Sequence, residues 1–246
     1  MISAGIDIGS RTIALVVLND QKTVRAEIID TGFTPLETAR ELVAALPPEV
    51  SVTATGYGRH AAKADFAHRV VTEIKAHALG ATCFMPEART ILDIGGQDMK
   101  VIALDGRGNV EDFQMNDKCA AGTGKFLEVM AGALGYSTVE EFGQASLRGK
   151  PGIKITSMCT VFAESEAVSL THKGFNRRDI GRALHASVVE RVLGLLQRVD
   201  YQAPLVFTGG VAMNHCVLTM LRDQIKGQLF VPEHPQLVGA LGAALA

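Results

Sequence analysis

Long apolar runs and blocks of like charge are both missing from this chain of 246 residues. No stretch approaches the roughly 20 apolar residues that span a bilayer, and the start lacks the basic and apolar segments of a signal peptide. The formal net charge of −2 gives no electrostatic signature for binding nucleic acid or an acidic membrane surface. We therefore expect a cytoplasmic protein that acts on a small ligand, with neither a nucleic-acid nor a membrane partner.

Cysteine is scarce, with four residues, and disulfides are not expected in the cytoplasm. Metal binding, catalysis or packing must therefore account for these thiols. Cys119 and Cys159 each precede a predicted helix and lie among polar and small residues, and a helix N-terminus favours a thiolate. Free cysteine is also a common buried residue, and the surroundings of Cys83 and Cys216 predict that packing role for them.

Two well-placed thiols are too few for a closed zinc site or for an iron-sulfur cluster, which usually takes four thiolates. A dimer with twofold symmetry removes this shortage. If Cys119 and Cys159 of both subunits met at the axis, they would supply four ligands to one 4Fe-4S cluster.

The two common nucleotide-binding motifs are absent: there is no Gly-x-x-x-x-Gly-Lys-Ser/Thr, and no Gly-x-Gly-x-x-Gly follows a strand. Instead, Asp-Ile-Gly follows an apolar strand at Asp7 and again at Asp93, and a third glycine turn lies at Gly209 and Gly210. Such glycines free backbone N–H groups for phosphate oxygens, and a strand-end carboxylate can hold hydrated Mg²⁺. A single copy is often only a turn, but three glycine turns together predict a nucleotide and Mg²⁺.

Strands and helices alternate along the chain, which predicts an α/β fold, and the repeated strand–turn–strand unit indicates two related halves. Gly80 is predicted to cap the C-terminus of the second helix. Strands are predicted at 3–8, 13–18, 24–29, 51–55, 90–94, 99–104, 110–115, 153–156 and 229–231, with another entering the turn at 209–210. Helices are predicted at 36–46, 72–79, 126–134, 161–170, 176–199, 214–225 and 239–246, with a short one from 138.

Four segments resemble the ATP-dependent activators of 2-hydroxyacyl-CoA dehydratases, a family that includes the ATP-binding subunits of benzoyl-CoA reductase. The segments are 93–98, 116–124, 159–166 and 209–214, and the similarity runs nearly end to end. The resemblance implies the fold of actin, sugar kinases and heat-shock chaperones, in which two ribonuclease-H-like domains enclose ATP. We expect these domains at 1–88 and 89–246, with the last helix packing on the first, and a homodimer sharing one 4Fe-4S cluster.

The resemblance also implies site residues. The catalytic residues would be Asp7, Asp93 and Gln97; the nucleotide would contact Gly9, Ser10, Arg11, Thr12, Gly95, Gly96, Gln97, Gly209, Gly210, Asn214 and Gln236; and the cluster ligands would be Cys119 and Cys159. One departure concerns Ile13 and Ala14, where the family usually has a small hydroxyl residue and then lysine. Lys100 or Lys118 are candidates to compensate for this loss. His172, His185 and His215 are predicted to have surface or packing roles.

The leading hypothesis is an ATP-hydrolysing iron-sulfur electron donor that receives electrons from a ferredoxin or flavodoxin and activates a dehydratase-like partner. A benzoyl-CoA-reductase-type or double-cubane cluster protein is an alternative acceptor. A small-molecule kinase of the same fold is a second alternative, although it gives no reason for Cys119 and Cys159. A scaffold that binds ATP without hydrolysing it is a third.

Overall fold

The computed structural model describes residues 2–157 and 159–246 and contains two five-stranded sheets. The first sheet has the order β3-β2-β1-β4-β5 and the second the order β10-β9-β6-β7-β8. In each, two antiparallel hairpin connections are followed by parallel strands. The second sheet thus repeats the topology of the first, as the repeated sequence unit predicts. The strands are β1 (Ile2–Ile8), β2 (Thr12–Asn19), β3 (Lys22–Asp30), β4 (Ser51–Gly56), β5 (Arg69–Val70), β6 (Thr90–Ile94), β7 (Met99–Leu104), β8 (Val110–Asn116), β9 (Leu205–Thr208) and β10 (Leu229–Phe230).

Nine α-helices within the described residues surround these sheets. They are α1 (Pro35–Ala44), α2 (Arg59–Asp65), α3 (Glu73–Phe84), α4 (Gly124–Ala133), α5 (Val139–Leu147), α6 (Thr160–His172), α7 (Arg177–Arg198), α8 (His215–Gln224) and α9 (Val238–Leu245). The largest core lies between the second sheet and helices α4 to α8, and it buries residues such as Phe207, Phe142 and Leu196. In residues 2–157 and 159–246, none of the helices combines the length and apolarity needed to cross a membrane.

Helices α3 and α9 cross between the sheets and pack on each other through small residues. A Cβ atom on Gly80 of α3 would lie 2.1 Å from the Val238 carbonyl oxygen, and one on Gly5 of β1 would lie 2.0 Å from the Ala240 carbonyl oxygen. Helix α9 therefore lies directly on the first sheet, although its sequence follows the second. The division of the chain into domains at 1–88 and 89–246 stays a prediction.

Several sequence predictions need correction. The helix predicted at 72–79 continues through Gly80 to Phe84, because this glycine serves close packing against α9 and not a helix cap. No strand forms at 153–156; Glu166 of α6 instead accepts hydrogen bonds from the backbone N–H groups of Thr156 and Ser157. Helix α2 and the short strand β5 were not predicted.

Cys216 and Cys83, which were both predicted to have a packing role, differ in their solvent exposure. Cys216 is fully buried, and burial raises the pKa of its thiol to about 12, so it is inert. Cys83 is exposed near the C-terminus of α3, and its predicted burial is wrong. The cause is the extra turn of α3, which carries this residue beyond the part of the helix that packs on α9.

Candidate functional site

A cleft of about 670 Å³ opens between the two sheets, within the size range of small-ligand pockets. It brings together nearly all of the predicted nucleotide and catalytic residues. They are Asp7, Gly9, Ser10, Arg11, Thr12, Asp93, Gly95, Gly96, Gly209, Gly210, Asn214 and Gln236. Gln97 is the exception: its side chain is exposed and does not line the cleft, so its catalytic role stays a prediction.

The first two glycine turns have the same geometry. In the β1–β2 hairpin the Gly9 N–H donates to the Thr12 carbonyl at 3.1 Å, and in the β6–β7 hairpin the Gly95 N–H donates to the Asp98 carbonyl at 3.0 Å. The third turn requires glycine, because Gly209 has a φ of +83° and lies tight against the carbonyl of residue 94. Three backbone turns thus converge on one cavity from two sheets.

The shared hairpin geometry gives the two aspartates different strand partners. Asp93 lies opposite Lys100 in the β6–β7 pair, and Asp7 lies opposite Ala14 in the β1–β2 pair. Paired residues of neighbouring strands point to the same face of a sheet. One aspartate therefore has a lysine beside it, whereas the equivalent aspartate has only a methyl group.

Lys100 is almost completely buried at the floor of the cleft and contacts three carboxylates. Its Nζ atom lies 2.7 Å from Glu73 Oε2, 2.8 Å from Asp98 Oδ2 and 3.3 Å from Asp93 Oδ2. Burial alone would lower the pKa of the ammonium, but the carboxylates outweigh it and raise the pKa above its ordinary value. Lys100 therefore stays charged. Of the two candidates to compensate for Ala14, this lysine lines the cleft and Lys118 does not.

The carboxyl groups respond to these surroundings in opposite ways. Burial raises the pKa of Asp93, but its electrostatic interactions with the neighbouring His77 and Lys100 and the hydrogen bond from Thr208 outweigh burial, so the pKa falls below its usual range. Asp7 has no such neighbours on its own hairpin. Burial, followed by repulsion from Glu73, raises the pKa of Asp7 to about 7. A carboxyl group with this pKa can exchange protons near neutral pH.

The cleft residues that were not predicted as part of the site include three titratable ones close to Asp93 and Lys100: Glu73, His77 and Asp98. Thr208 Oγ1 donates to Asp93 Oδ1 at 3.0 Å and lies 3.2 Å from His77 Nδ1. The i, i+4 spacing of Glu73 and His77 puts both on one face of α3, which was a usable signal. What the sequence did not reveal is that this face turns toward the ends of β1 and β6.

An ion pair crosses the cleft. Arg11 Nε, in the first glycine turn, lies 2.9 Å from Glu128 Oε1 in α4. Helix α4 is also tied to the second glycine turn, because the backbone N–H groups of Gly124 and Lys125 donate to the carbonyls of Gly95 and Gly96 at 2.9 and 2.8 Å. The start of α4 therefore contacts both turns predicted to hold phosphate.

The two predicted cluster ligands lie outside the cleft, and both are exposed. Cys159 directly precedes α6, where the sequence predicts a helix to begin, and it is the N-cap residue of this helix. Cys119 lies farther from its helix, in a turn held by Asn116, whose Nδ2 donates to the carbonyls of Cys119 at 3.0 Å and Ala121 at 3.3 Å. Among the described residues of the chain, no three His, Cys, Asp or Glu side chains form a group that could hold a metal ion.

Comparison with known proteins agrees with these observations. The BadF/BadG/BcrA/BcrD ATPase family matches residues 4–246. The chain belongs to this family. The activator of lactoyl-CoA dehydratase from Anaerotignum propionicum is 42% identical, over 100% of this chain and 96% of that protein. One of the benzoyl-CoA reductase subunits from Thauera aromatica is 32% identical, over 99% and 92%.

Solved structures of the family have the same fold. The activator of the 2-hydroxyisocaproyl-CoA dehydratase from Clostridium difficile, with bound ADPNP, is 41% identical with a TM-score of 0.90, covering 100% of this chain and 93% of that one. Component A of the Acidaminococcus fermentans (R)-2-hydroxyglutaryl-CoA dehydratase is 38% identical with a TM-score of 0.92, covering 100% and 96%. A ROK family glucokinase from Streptomyces griseus, 16% identical with a TM-score of 0.59 over 99% and 98%, has the same fold. The predicted actin-like α/β fold and the family resemblance are both confirmed.

Proposed function

We propose that this family member hydrolyses ATP in the cleft and couples hydrolysis to single-electron transfer into a 2-hydroxyacyl-CoA dehydratase or a similar iron-sulfur enzyme. The relatives named as dehydratase activators are more similar to the chain than the benzoyl-CoA reductase relative, which favours the dehydratase as acceptor. The electrons would come from a ferredoxin or flavodoxin in the cytoplasm. We also propose that residues 1–88 and 89–246 are the two domains that enclose the nucleotide.

The floor of the cleft fits a magnesium nucleotide. Four carboxylates lie there, those of Asp7, Glu73, Asp93 and Asp98, together with the ammonium of Lys100. The excess negative charge suits a hydrated divalent cation, whose charge would offset that of the phosphates. The three glycine turns would bind phosphate and nucleoside through backbone N–H groups. Asp7 would accept a proton from the attacking water, because its pKa is about 7.

The thiols of Cys119 and Cys159 fit a shared 4Fe-4S cluster, which would supply the one-electron chemistry. Each chain offers two exposed thiols in the segments that carry the family resemblance, and a second chain completes the set of four. Exposed Val161 and Phe162, in the first turn of α6, lie beside Cys159 and suit burial against another protein surface. The homodimer and the acceptor enzyme are the candidates for this surface.

One observation carries the proposed coupling: the start of α4 is hydrogen-bonded to the Gly95–Gly96 turn, and only residues 120–123 separate it from Cys119 in the chain. A shift of this turn on nucleotide binding or hydrolysis would move α4 and, through it, the Cys119 segment. For a one-electron couple, about 1.4 kcal/mol of differential stabilisation changes the potential by about 59 mV. A domain rotation that changes cluster exposure by a few kcal/mol would therefore shift its potential by roughly 100–200 mV.

The test is anaerobic iron-sulfur reconstitution of the chain, followed by iron analysis, electron paramagnetic resonance and an ATPase assay. We expect about four iron atoms per two chains, and ATP turnover without a small-molecule phosphoryl acceptor. Cys119→Ser and Cys159→Ser should each abolish the cluster. Cys83→Ser is the matched control, because this thiol is also exposed but lies on α3. A colourless protein after reconstitution, or equal iron loss in the control, would contradict the proposal.

A further inference from the structure

We propose that His185 is a positioning residue for nucleotide binding: it fixes the side-chain amide of Asn214 so that one amide N–H remains available to the ligand in the cleft. This inference rests on the proposed nucleotide site. His185 lies inside helix α7 and does not itself reach the cleft. Asn214 does line it, next to the third glycine turn.

The hydrogen bonds of His185 determine which ring nitrogen carries the proton. Its Nδ1 atom lies 2.7 Å from the carbonyl oxygen of Gly181, which can only accept, so Nδ1 carries the proton. The other nitrogen, Nε2, must then be an acceptor in the neutral ring. It lies 3.2 Å from Asn214 Nδ2, which is a donor. The imidazole therefore presents a lone pair to the asparagine amide.

The other end of the amide is fixed as well. Asn214 is the N-cap residue of α8, and its Oδ1 atom accepts from the backbone N–H groups of Cys216 and Val217, both at 3.0 Å. A flipped amide would point its NH₂ group at these two donors and its oxygen at the His185 lone pair. Both contacts would be repulsive, so a single orientation is allowed.

Packing around the pair leaves little room for rotation. Gly143 of α5 lies against the amide so closely that a Cβ atom there would be 3.0 Å from both Oδ1 and Nδ2 of Asn214. The ring of Phe142 lies 4.5 Å from the imidazole ring, centroid to centroid. Burial lowers the pKa of His185 to about 4, so the ring stays neutral near pH 7 and Nε2 remains an acceptor.

One hydrogen of the Asn214 amide is left over by this arrangement. Oδ1 has two donors, Nδ2 has His185 as one acceptor, and no second acceptor for Nδ2 occurs among residues 2–157 and 159–246. Because Asn214 lines the cleft, this N–H is a pre-oriented donor on the cleft wall. Its chemistry suits an oxygen or nitrogen acceptor of a bound nucleoside.

The test is calorimetric binding of Mg-ADP to the full chain and to three variants. His185→Leu removes the acceptor and should weaken ADP binding about tenfold, because the amide loses its fixed orientation. His185→Gln supplies a carbonyl oxygen near the position of Nε2 and should stay within about threefold of the unaltered chain. Asn214→Asp keeps the helix cap but loses the donor, so it should also weaken binding about tenfold.

The following measurements distinguish a positioning role of His185 from a role in stability alone. Val188→Ala removes buried atoms from the same helix but none of the hydrogen bonds of the Asn214 amide, and it should leave the ADP affinity unchanged. In a double-mutant cycle, His185→Leu should add little to Asn214→Asp, because both act on one hydrogen bond. In ATPase assays, His185→Leu should raise KM and change kcat less than twofold.

Additive effects in the cycle, failure of His185→Gln to restore binding, or an equal loss in Val188→Ala would overturn the assignment. The nucleotide site itself is tested separately by the unaltered chain. If that chain bound no ADP, the proposed function would fail, and this inference with it. If it bound ADP and His185→Leu bound it equally well, only the role of His185 would fail.

Discussion

Replacing Lys100 with methionine is the sharpest test of how the cleft floor is held together. The ammonium of Lys100 lies within 2.7–3.3 Å of carboxylate oxygens of Glu73, Asp98 and Asp93, and the side chain is 4% exposed. Methionine keeps much of the apolar stem but removes the charge. Removing one partner of a buried ion pair costs about 3–5 kcal/mol, because the remaining charges are left uncompensated. We expect a loss of this size in the free energy of unfolding at pH 7.

The assay is urea denaturation at a fixed protein concentration without nucleotide. For a slope of about 2.5 kcal/mol per M, the midpoint should fall by roughly 1–2 M. Lys125→Met is the matched control: Lys125 pairs with Glu128 at 3.4 Å, but its side chain is 49% exposed. An exposed pair contributes about 0–1 kcal/mol, so the control should barely shift the midpoint.

The pH dependence gives a second, independent signature. In the unaltered chain the pKa of Asp93 is lowered, so its stabilisation is present above its ordinary pKa and is lost as pH falls through the lower folded value. The pKa of Lys100 is raised, so its stabilisation persists to the alkaline range. In the variant the carboxylates lack a counter-charge, so their pKa values should rise. The loss in the free energy of unfolding of Lys100→Met, relative to the unaltered chain, should therefore be largest near pH 8 and become smaller toward pH 5. A loss below about 1 kcal/mol at pH 7, or no dependence on pH, would refute the reasoning.

Two further predictions concern Asp7 and the helix crossing. Because the pKa of Asp7 is raised to about 7, its contribution to stability is present at acid pH and lost as pH rises through 7. Asp7→Asn should therefore stabilise the chain by up to about 4 kcal/mol above pH 7 and by little near pH 4, because each unit of pKa shift is worth about 1.36 kcal/mol. The variant should also weaken Mg-ATP turnover. Unfolding at several pH values and ATPase assays measure both effects, and unchanged stability at pH 8 would contradict the expectation. Gly80→Ala should destabilise by about 3 kcal/mol or more, because the new methyl group would meet the backbone of α9. Gly132→Ala, in α4 with no atom within 4 Å of the new carbon, should instead stabilise by about 0.4–1 kcal/mol in the same thermal or urea assay.

Local patterns were sufficient to predict the parts of the site that are contiguous in sequence. The strand-end aspartates, the three glycine turns and the place of Cys159 just before a helix all follow from a few adjacent residues, and the structure has them. The hairpin register around Gly95 was also predictable, and it would have placed Lys100 opposite Asp93. Strand and turn patterns alone leave Lys100 and Lys118 as equal candidates, because the choice depends on the number of residues in the turn between β6 and β7.

The roles of other residues depend on tertiary packing, which local sequence patterns do not predict. A glycine at the position of Gly80 is typical of a helix C-cap, but the structure requires glycine there because α9 packs closely against it. The sequence predicts a surface or packing role for His185; its burial fits packing, but its bond to Asn214 was not predictable, because that contact joins α7 to the start of α8. Glu73 lies in the first turn of α3, and its ion pair with Lys100 requires α3 to pack beside β7. Each of these residues depends on elements distant in sequence.

The same hairpin occurs in both sheets, as β1–β2 and as β6–β7, and a comparison of the two explains the charge pattern of the cleft. Had both halves kept a lysine opposite the strand-end aspartate, Asp7 and Asp93 would have similar pKa values. Asp93 has Lys100 opposite it and a lowered pKa, whereas Asp7 has Ala14 opposite it and a pKa that burial and repulsion from Glu73 raise to about 7. Equivalent positions in a duplicated fold thereby take different roles: Asp93 is the permanent anion next to the cation, and Asp7 is the group able to exchange a proton. Restoring the charge with Ala14→Lys should lower the pKa of Asp7 and suppress the pH dependence of stability near 7. An unchanged pH profile would show that burial alone, and not the missing lysine, sets the pKa of Asp7.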